Sequence, residues 1–114
     1  MTQPQPQVVG NTVRSGDMRF EFEWPVEEAW WWEDLLIVFF APDAHQEAFG
    51  QFPNLVAVDE TGARRWVAEL PTTYTGDRYY HVESHDPLVA YAFKSYICEI
   101  DPRTGKIVRK LFTK

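Results

Sequence analysis

The sequence predicts an all-β fold, and three observations carry that expectation. MRFEFEW at 18–24 alternates without a break. Met18, Phe20, Phe22 and Trp24 share one face, and Arg19, Glu21 and Glu23 share the other, the period of a strand with one side in water. LLIVFFA at 35–41 is a strand-length run rich in β-branched and aromatic residues. NLVAVDETGARRWVAEL at 54–70 reads as a hairpin, because Asp59 can bond its own backbone two residues on and Gly62 tolerates the positive φ that closes a turn.

Taken in order, residues 1–9 are polar and spaced by prolines, so they are expected as a disordered tail ahead of a single domain at 10–114. A short strand near 8–13 leads through Gly16-Asp17 into the alternating strand. Residues 25–43 can be wound as a helix over 26–36. Strand, turn, strand is the better reading: Glu28 to Trp32, a tight turn at Glu33-Asp34, then the apolar run. PDAHQEAFGQFP at 42–53 is a long loop with at most one helical turn, at 44–49. Beyond the hairpin and a linker at 71–77 come four more short strands: YYHVES, LVAYAF, YICEID and a last one from Lys106 to about Phe112.

The second half repeats the first. Asp59 to Asp101 is 42 residues and Trp66 to Val108 is also 42. AWWW-ED-LLIVFFA, NLVAVDETG and ARRWVAEL match YYHVES-HDP-LVAYAFK, YICEIDPRTG and KIVRKLFTK, with the 42–53 loop as the main insertion. Four strands per unit, an Asp-to-Gly turn between the third and fourth, and a tryptophan just after it resemble the blade of a PQQ-type β-propeller. Val108 stands in the second unit where the first has Trp66. The units span about 25–70 and 78–114. A propeller needs about four or more blades to close, so the resemblance implies two blade-like, four-stranded antiparallel units packed as a sandwich or curled sheet. It does not imply the cofactor, and none is expected. The same phrases give a general likeness to small bacterial proteins associated with toxins.

Charge is distributed unevenly. Residues 1–60 hold eleven acids and two bases, a net of −9, whereas residues 61–114 hold six acids and nine bases, a net of +3. An acidic chain of net charge −6 repels phosphate, so nucleic acid is not an expected partner. No run of 18 apolar residues is present, so no membrane association is expected, and MTQPQPQ has neither the basic nor the apolar part of a secretory signal. The expected location is the cytoplasm. Cys98 is the single cysteine, which excludes a disulfide framework and a multi-cysteine zinc site.

No nucleophile elbow, phosphate loop, dinucleotide fingerprint or zinc-protease motif occurs, so no enzymatic activity is expected. His81, Glu83 and His85 fall at every second position, which on a regular strand makes a metal face; a solvated polar edge is the simpler reading. The row Trp30-Trp31-Trp32 puts an indole on both faces of a strand, and acids flank it. Aromatic anchors within an acidic rim suit a basic protein partner. The expected binding residues are Glu27, Glu28, Trp31, Glu33 and Asp34, with Asp43, His45 and Glu47 from the inserted loop. The expected function is that of a protein-binding domain, most concretely an immunity protein that neutralises a cognate toxin such as a basic nuclease. A small-molecule or carbohydrate-binding module, and an obligate oligomer of blades, are the alternatives; the chain is expected as a monomer or small homo-oligomer.

Overall fold

Ten consecutive strand positions in the middle of the chain are apolar and buried, and the architecture follows from covering them on both sides. A computed structural model describes residues 3–45 and 50–113. The helical turn expected at 44–49 falls largely on 46–49, outside the described residues. The strands are β1 (Gln7–Val9), β2 (Thr12–Ser15), β3 (Met18–Glu21), β4 (Val26–Trp32), β5 (Leu35–Phe40), β6 (Leu55–Val58), β7 (Arg64–Val67), β8 (Tyr79–His85), β9 (Leu88–Ala92), β10 (Tyr96–Ile100) and β11 (Ile107–Phe112). They form three antiparallel sheets, none closed into a barrel, in the orders β1-β2-β3, β4-β5-β6-β7 and β11-β10-β9-β8. The all-β expectation is met, and the two four-stranded units are the central and C-terminal sheets.

The N-terminal sheet was not legible as such. Residues 7–9, expected in a disordered tail, form an edge strand in which Val8 stands opposite Val13 and packs on the core. The alternating segment ends as a strand at Glu21, although Phe22 and Trp24 still pack edge-on against Phe40 with ring centroids 5.5 and 5.4 Å away.

Every residue of β5 and β6 is buried. Leu36, Val38, Phe40, Val56 and Val58 meet Val13 and Phe20 of the N-terminal sheet. Ile37, Phe39, Leu55 and Ala57 meet Leu88, Ala90, Cys98 and Ile100 of the C-terminal sheet. The central sheet is therefore the filling of a three-layer stack, which is why its strands read as continuous apolar runs and not as alternations. Burying one such side chain contributes about 1.5–3 kcal/mol.

Polar groups lock the layers in register. Asn54, fully buried, donates to the carbonyls of Phe40 (3.1 Å) and Tyr79 (2.7 Å) and accepts from the Tyr79 amide (2.9 Å), tying the central sheet to β8. Buried Asp77 accepts from the amides of Arg78 and Lys94 and from the Thr72 hydroxyl, which fixes the linker. Trp66 reaches across to the C-terminal sheet, where its indole Nε1 donates to the Pro102 carbonyl at 2.9 Å. The ring lies on Gly105.

Register also redefines the repeat. Val58 stands opposite Leu36 and Ile100 opposite Leu88, so these pairs correspond. Trp66 stands opposite Ala57, and Arg109 stands opposite the corresponding Glu99. The residue equivalent to Trp66 is thus Arg109 and not Val108. The DPRTGK turn is one residue longer than DETGA, which shifts the count.

Two outcomes are expected from this packing. Gly105 has φ 75°, and a Cβ there would lie 2.6 Å from Trp66 Cε3. Gly105→Ala is expected to lower stability by about 2–4 kcal/mol through left-handed strain and overpacking, and an unchanged urea midpoint would refute the interlock. Burial pushes the Cys98 thiol up to about 11. Because the folded state holds this proton more tightly than the unfolded chain, its contribution is present at neutral pH and is lost as pH rises from about 9 towards 11. The native thiol should resist a thiol-specific disulfide reagent at about pH 8 and react once the chain is unfolded in urea.

Candidate functional site

β4 is an edge strand of the central sheet, and on its outer side the Val26 amide donates to the Gly10 carbonyl at 2.9 Å. Alternation along β5 shows which of its other backbone groups point outward. The Ala41 amide donates to the Pro25 carbonyl, and the Phe40 amide donates to the Asn54 carbonyl. Odd-numbered positions of β5 thus face β4 and even-numbered ones face β6. Glu28 and Trp30, opposite Phe39 and Ile37, direct their backbone groups to β5. Ala29 and Trp31 turn theirs to the open side. Among the described residues β4 forms a ladder with β5 alone.

Along this edge runs an open cleft of about 640 Å³. Its lining combines Glu28, Ala29, Trp30 and Trp31 of β4 with Glu33 of the following turn, His85 of β8 and the N-terminal residues Gln3, Gln5 and Pro6. Each wall is held by a specific contact. On one side the Trp31 indole donates to the Ser15 hydroxyl at 2.8 Å, and that hydroxyl donates to the Pro4 carbonyl at 2.5 Å. Ser15 is completely buried. On the other side the His85 ring stacks on Trp30 with centroids 3.9 Å apart and planes 5° from parallel, and its Nε2 lies 2.8 Å from a Glu28 carboxylate oxygen.

Of the residues expected to bind, Glu28, Trp31 and Glu33 come together here. Trp31 is half-buried, packed against Phe20 with ring centroids 6.1 Å apart and planes at 70°. Glu27 is exposed at a β-bulge between Val26 and Glu28 and lies outside the cleft lining. Asp34 is exposed in the hairpin turn and does not line the cleft either. Asp43 and His45 belong to a different region: His45 packs on Trp24 and Phe52, with centroids 5.6 and 5.3 Å away, and its carbonyl accepts from Arg78. Glu47 lies outside the described residues. Arg78 holds the described start of the inserted loop through the Pro42 and His45 carbonyls, and neither Asp43 nor His45 lines the Glu28–Glu33 cleft.

Sequence reasoning missed Trp30, His85 and the Gln3–Pro6 segment. The metal face read from His81, Glu83 and His85 does not form. Bulges between Tyr79 and His81 and between Val82 and Ser84 break the alternation. They leave His81 and Glu83 paired at 2.9 Å while His85 turns to Trp30. Among the described residues no three His, Cys, Asp or Glu side chains gather as a metal site.

Glu33 has φ 53°, a left-handed conformation that an L-residue adopts only under strain. Trp32 and Leu35 pair across a two-residue turn, which is where glycine or asparagine is favoured.

These features define a class: a stack of three antiparallel sheets with an acidic, aromatic cleft along one free strand edge. The chain belongs to the family DUF7957, a domain of unknown function, which it matches over residues 4–112. No curated protein and no solved structure matches it. Among the described residues no helix is long and apolar enough to cross a membrane.

The strain at Glu33 has a measurable consequence. Glu33→Gly is expected to leave stability unchanged or raise it by up to about 1 kcal/mol, as relief of the left-handed residue offsets the entropy of glycine. A loss of more than about 1 kcal/mol in urea unfolding would mean that the side chain is a structural tie.

Proposed function

We propose that this chain is a protein-binding domain that takes a basic segment of another protein in the cleft along β4. In its most concrete form it is an immunity protein that holds a cognate toxin. The observation that supports this reading is the juxtaposition of Glu28 and Glu33 with two indoles in a cleft along an edge strand. Residues 1–60, which supply both carboxylates, carry a net charge of −9. Carboxylates attract and orient a cationic side chain, aromatic rings add desolvated contact, and the outward backbone groups of Ala29 and Trp31, which bond no other strand among the described residues, suit an extended segment.

The geometry favours a protein over a stacked sugar. Trp30 is covered by His85, Trp31 is turned edge-on to Phe20, and Trp32 lies under the Arg103 guanidinium at 5.4 Å. Trp30, buried beneath His85, offers no open face on which a pyranose stacks, whereas a protein partner needs only contact area and charge.

The test begins with the full-length chain as bait in lysate of its native host. The captured protein is identified, purified and titrated calorimetrically. A basic partner bound at nanomolar levels, roughly −12 kcal/mol, is expected. Glu28→Lys combined with Glu33→Lys is expected to weaken binding by about 100-fold, roughly 2.7 kcal/mol. Asp34→Lys, outside the cleft lining, should change it far less. Unchanged affinity in the double variant would refute the site.

A further inference from the structure

We propose that the outer face of the C-terminal sheet is a self-association surface, on which a second copy of this chain docks through the same face about a twofold axis. The stack itself shows what such a face does. In the central sheet, Ile37, Phe39, Leu55, Ala57 and Trp66 are buried under the next four-stranded sheet. The register places Val89, Tyr91, Ile97, Glu99 and Arg109 at the corresponding positions of the C-terminal sheet. Among the described residues no further sheet covers them, and Val89, Tyr91, Ile97 and Glu99 are half-buried while Arg109 is exposed.

Two cross-strand rows make up this face. One runs Leu111, Ile97, Tyr91, His81, and the other Arg109, Glu99, Val89, Ser84. The first row is apolar and aromatic for most of its length, and Leu111 is 65% exposed. In the second, Arg109 Nε donates to Glu99 Oε1 at 2.8 Å, an ion pair at the positions held by Trp66 and Ala57 in the buried sheet. The pair excludes an unrelated apolar layer and is complementary to itself: a twofold axis sets Glu99 of one copy against Arg109 of the other, twice.

The distribution of charge selects the occupant. The chain carries −6 overall, so two copies repel if their acidic halves meet. This face lies on the half of net charge +3, and contact through it holds the −9 halves apart. The opposite end of the stack offers no alternative seat. The outer face of the N-terminal sheet presents Gln7, Thr12, Arg14 and Arg19 with Val9 as its exposed apolar residue, and it cannot cover the Leu111–Ile97–Tyr91 row. Four strands about 4.8 Å apart give a footprint of roughly 15 by 20 Å, below the ~800 Å² per partner of a standard interface. So small a contact makes a weak, reversible dimer.

Sedimentation equilibrium of the full chain from roughly 5 to roughly 500 μM tests this. The wild type is expected to pass from monomer to dimer. Glu99→Arg and Arg109→Glu, both surface changes that should keep the wild-type circular dichroism, are each expected to stay monomeric, as is Leu111→Asp. An equimolar mixture of Glu99→Arg with Arg109→Glu should recover dimer mass as the mixed species, because one face is then wholly positive and the other wholly negative. A wild type that remains monomeric throughout, a single variant that dimerises like the wild type, or a mixture that stays monomeric would each overturn the proposal. So would loss of the dimer on combining Arg14→Glu with Arg19→Glu, which would place the contact at the other end of the stack.

Discussion

A four-stranded sheet that is apolar on both faces has nothing to give to water, and this constraint organises the whole molecule. β5 and β6 expose no residue at all, so the central sheet requires a layer on each side. A single sheet with two apolar faces would aggregate, and two sheets would still leave one face open. The N-terminal sheet supplies the second cover, which accounts for an ordered strand at Gln7–Val9 in an otherwise polar, proline-spaced segment. Its position is set by Val13 and Phe20 packing on the central sheet and by Ser15 accepting from Trp31. The interlock of Trp66 with Gly105 does the same work on the other side, converting a generic apolar contact into one with a defined register.

The cleft is a by-product of that layering. The N-terminal cover meets the edge of the central sheet at its start, where the Val26 amide donates to the Gly10 carbonyl, and further along β4 the cleft opens between the two covers. Two consecutive indoles serve opposite layers, Trp30 towards the C-terminal sheet and Trp31 towards the N-terminal one. A run of tryptophans at an edge strand is thus explained first by packing, and its edges line the cleft only secondarily. The acids divide on this point. Glu28 holds the His85 ring through its carboxylate at 2.8 Å, whereas Glu33 occupies a left-handed turn position that its side chain does not account for.

The strands and turns that were legible in the sequence owe that to local causes. The apolar run of β5 and the Asp59 turn, whose carboxylate accepts from the Thr61 and Ala63 amides, are determined by residues within a few positions. Side-chain hydrogen bonding from Thr61 holds the Asp59 carboxyl below its usual range. Contacts between residues far apart were not legible. The stack of His85 on Trp30 joins positions 55 apart, and nothing in HVESH announces it. Asn54 reads as a loop residue, and its complete burial becomes apparent only once Tyr79 is beside it. The displaced equivalence of Trp66 is a third case. A turn longer by one residue moves every later position by one, and only hydrogen-bond register shows that Arg109, not Val108, stands there.

That substitution bears on how a stack of similar sheets ends. Each layer that covers its neighbour exposes a new face, so a terminal sheet has to differ from the internal ones. The N-terminal sheet meets the requirement fully, with Gln7, Thr12, Arg14 and Arg19 outward. The C-terminal sheet meets it halfway: Ala57 and Trp66 have become Glu99 and Arg109, while Ile37, Phe39 and Leu55 have become Val89, Tyr91 and Ile97. Full conversion to polar residues would have been the simpler way to stop the stack, and the opposite end shows that this chain can do it. A face that keeps its apolar row but adds one balanced ion pair rejects a plain hydrophobic layer without rejecting one that carries the same pair reversed. The two ends of the molecule therefore differ in kind, and the difference lies in which side chains were changed, not in the backbone that presents them.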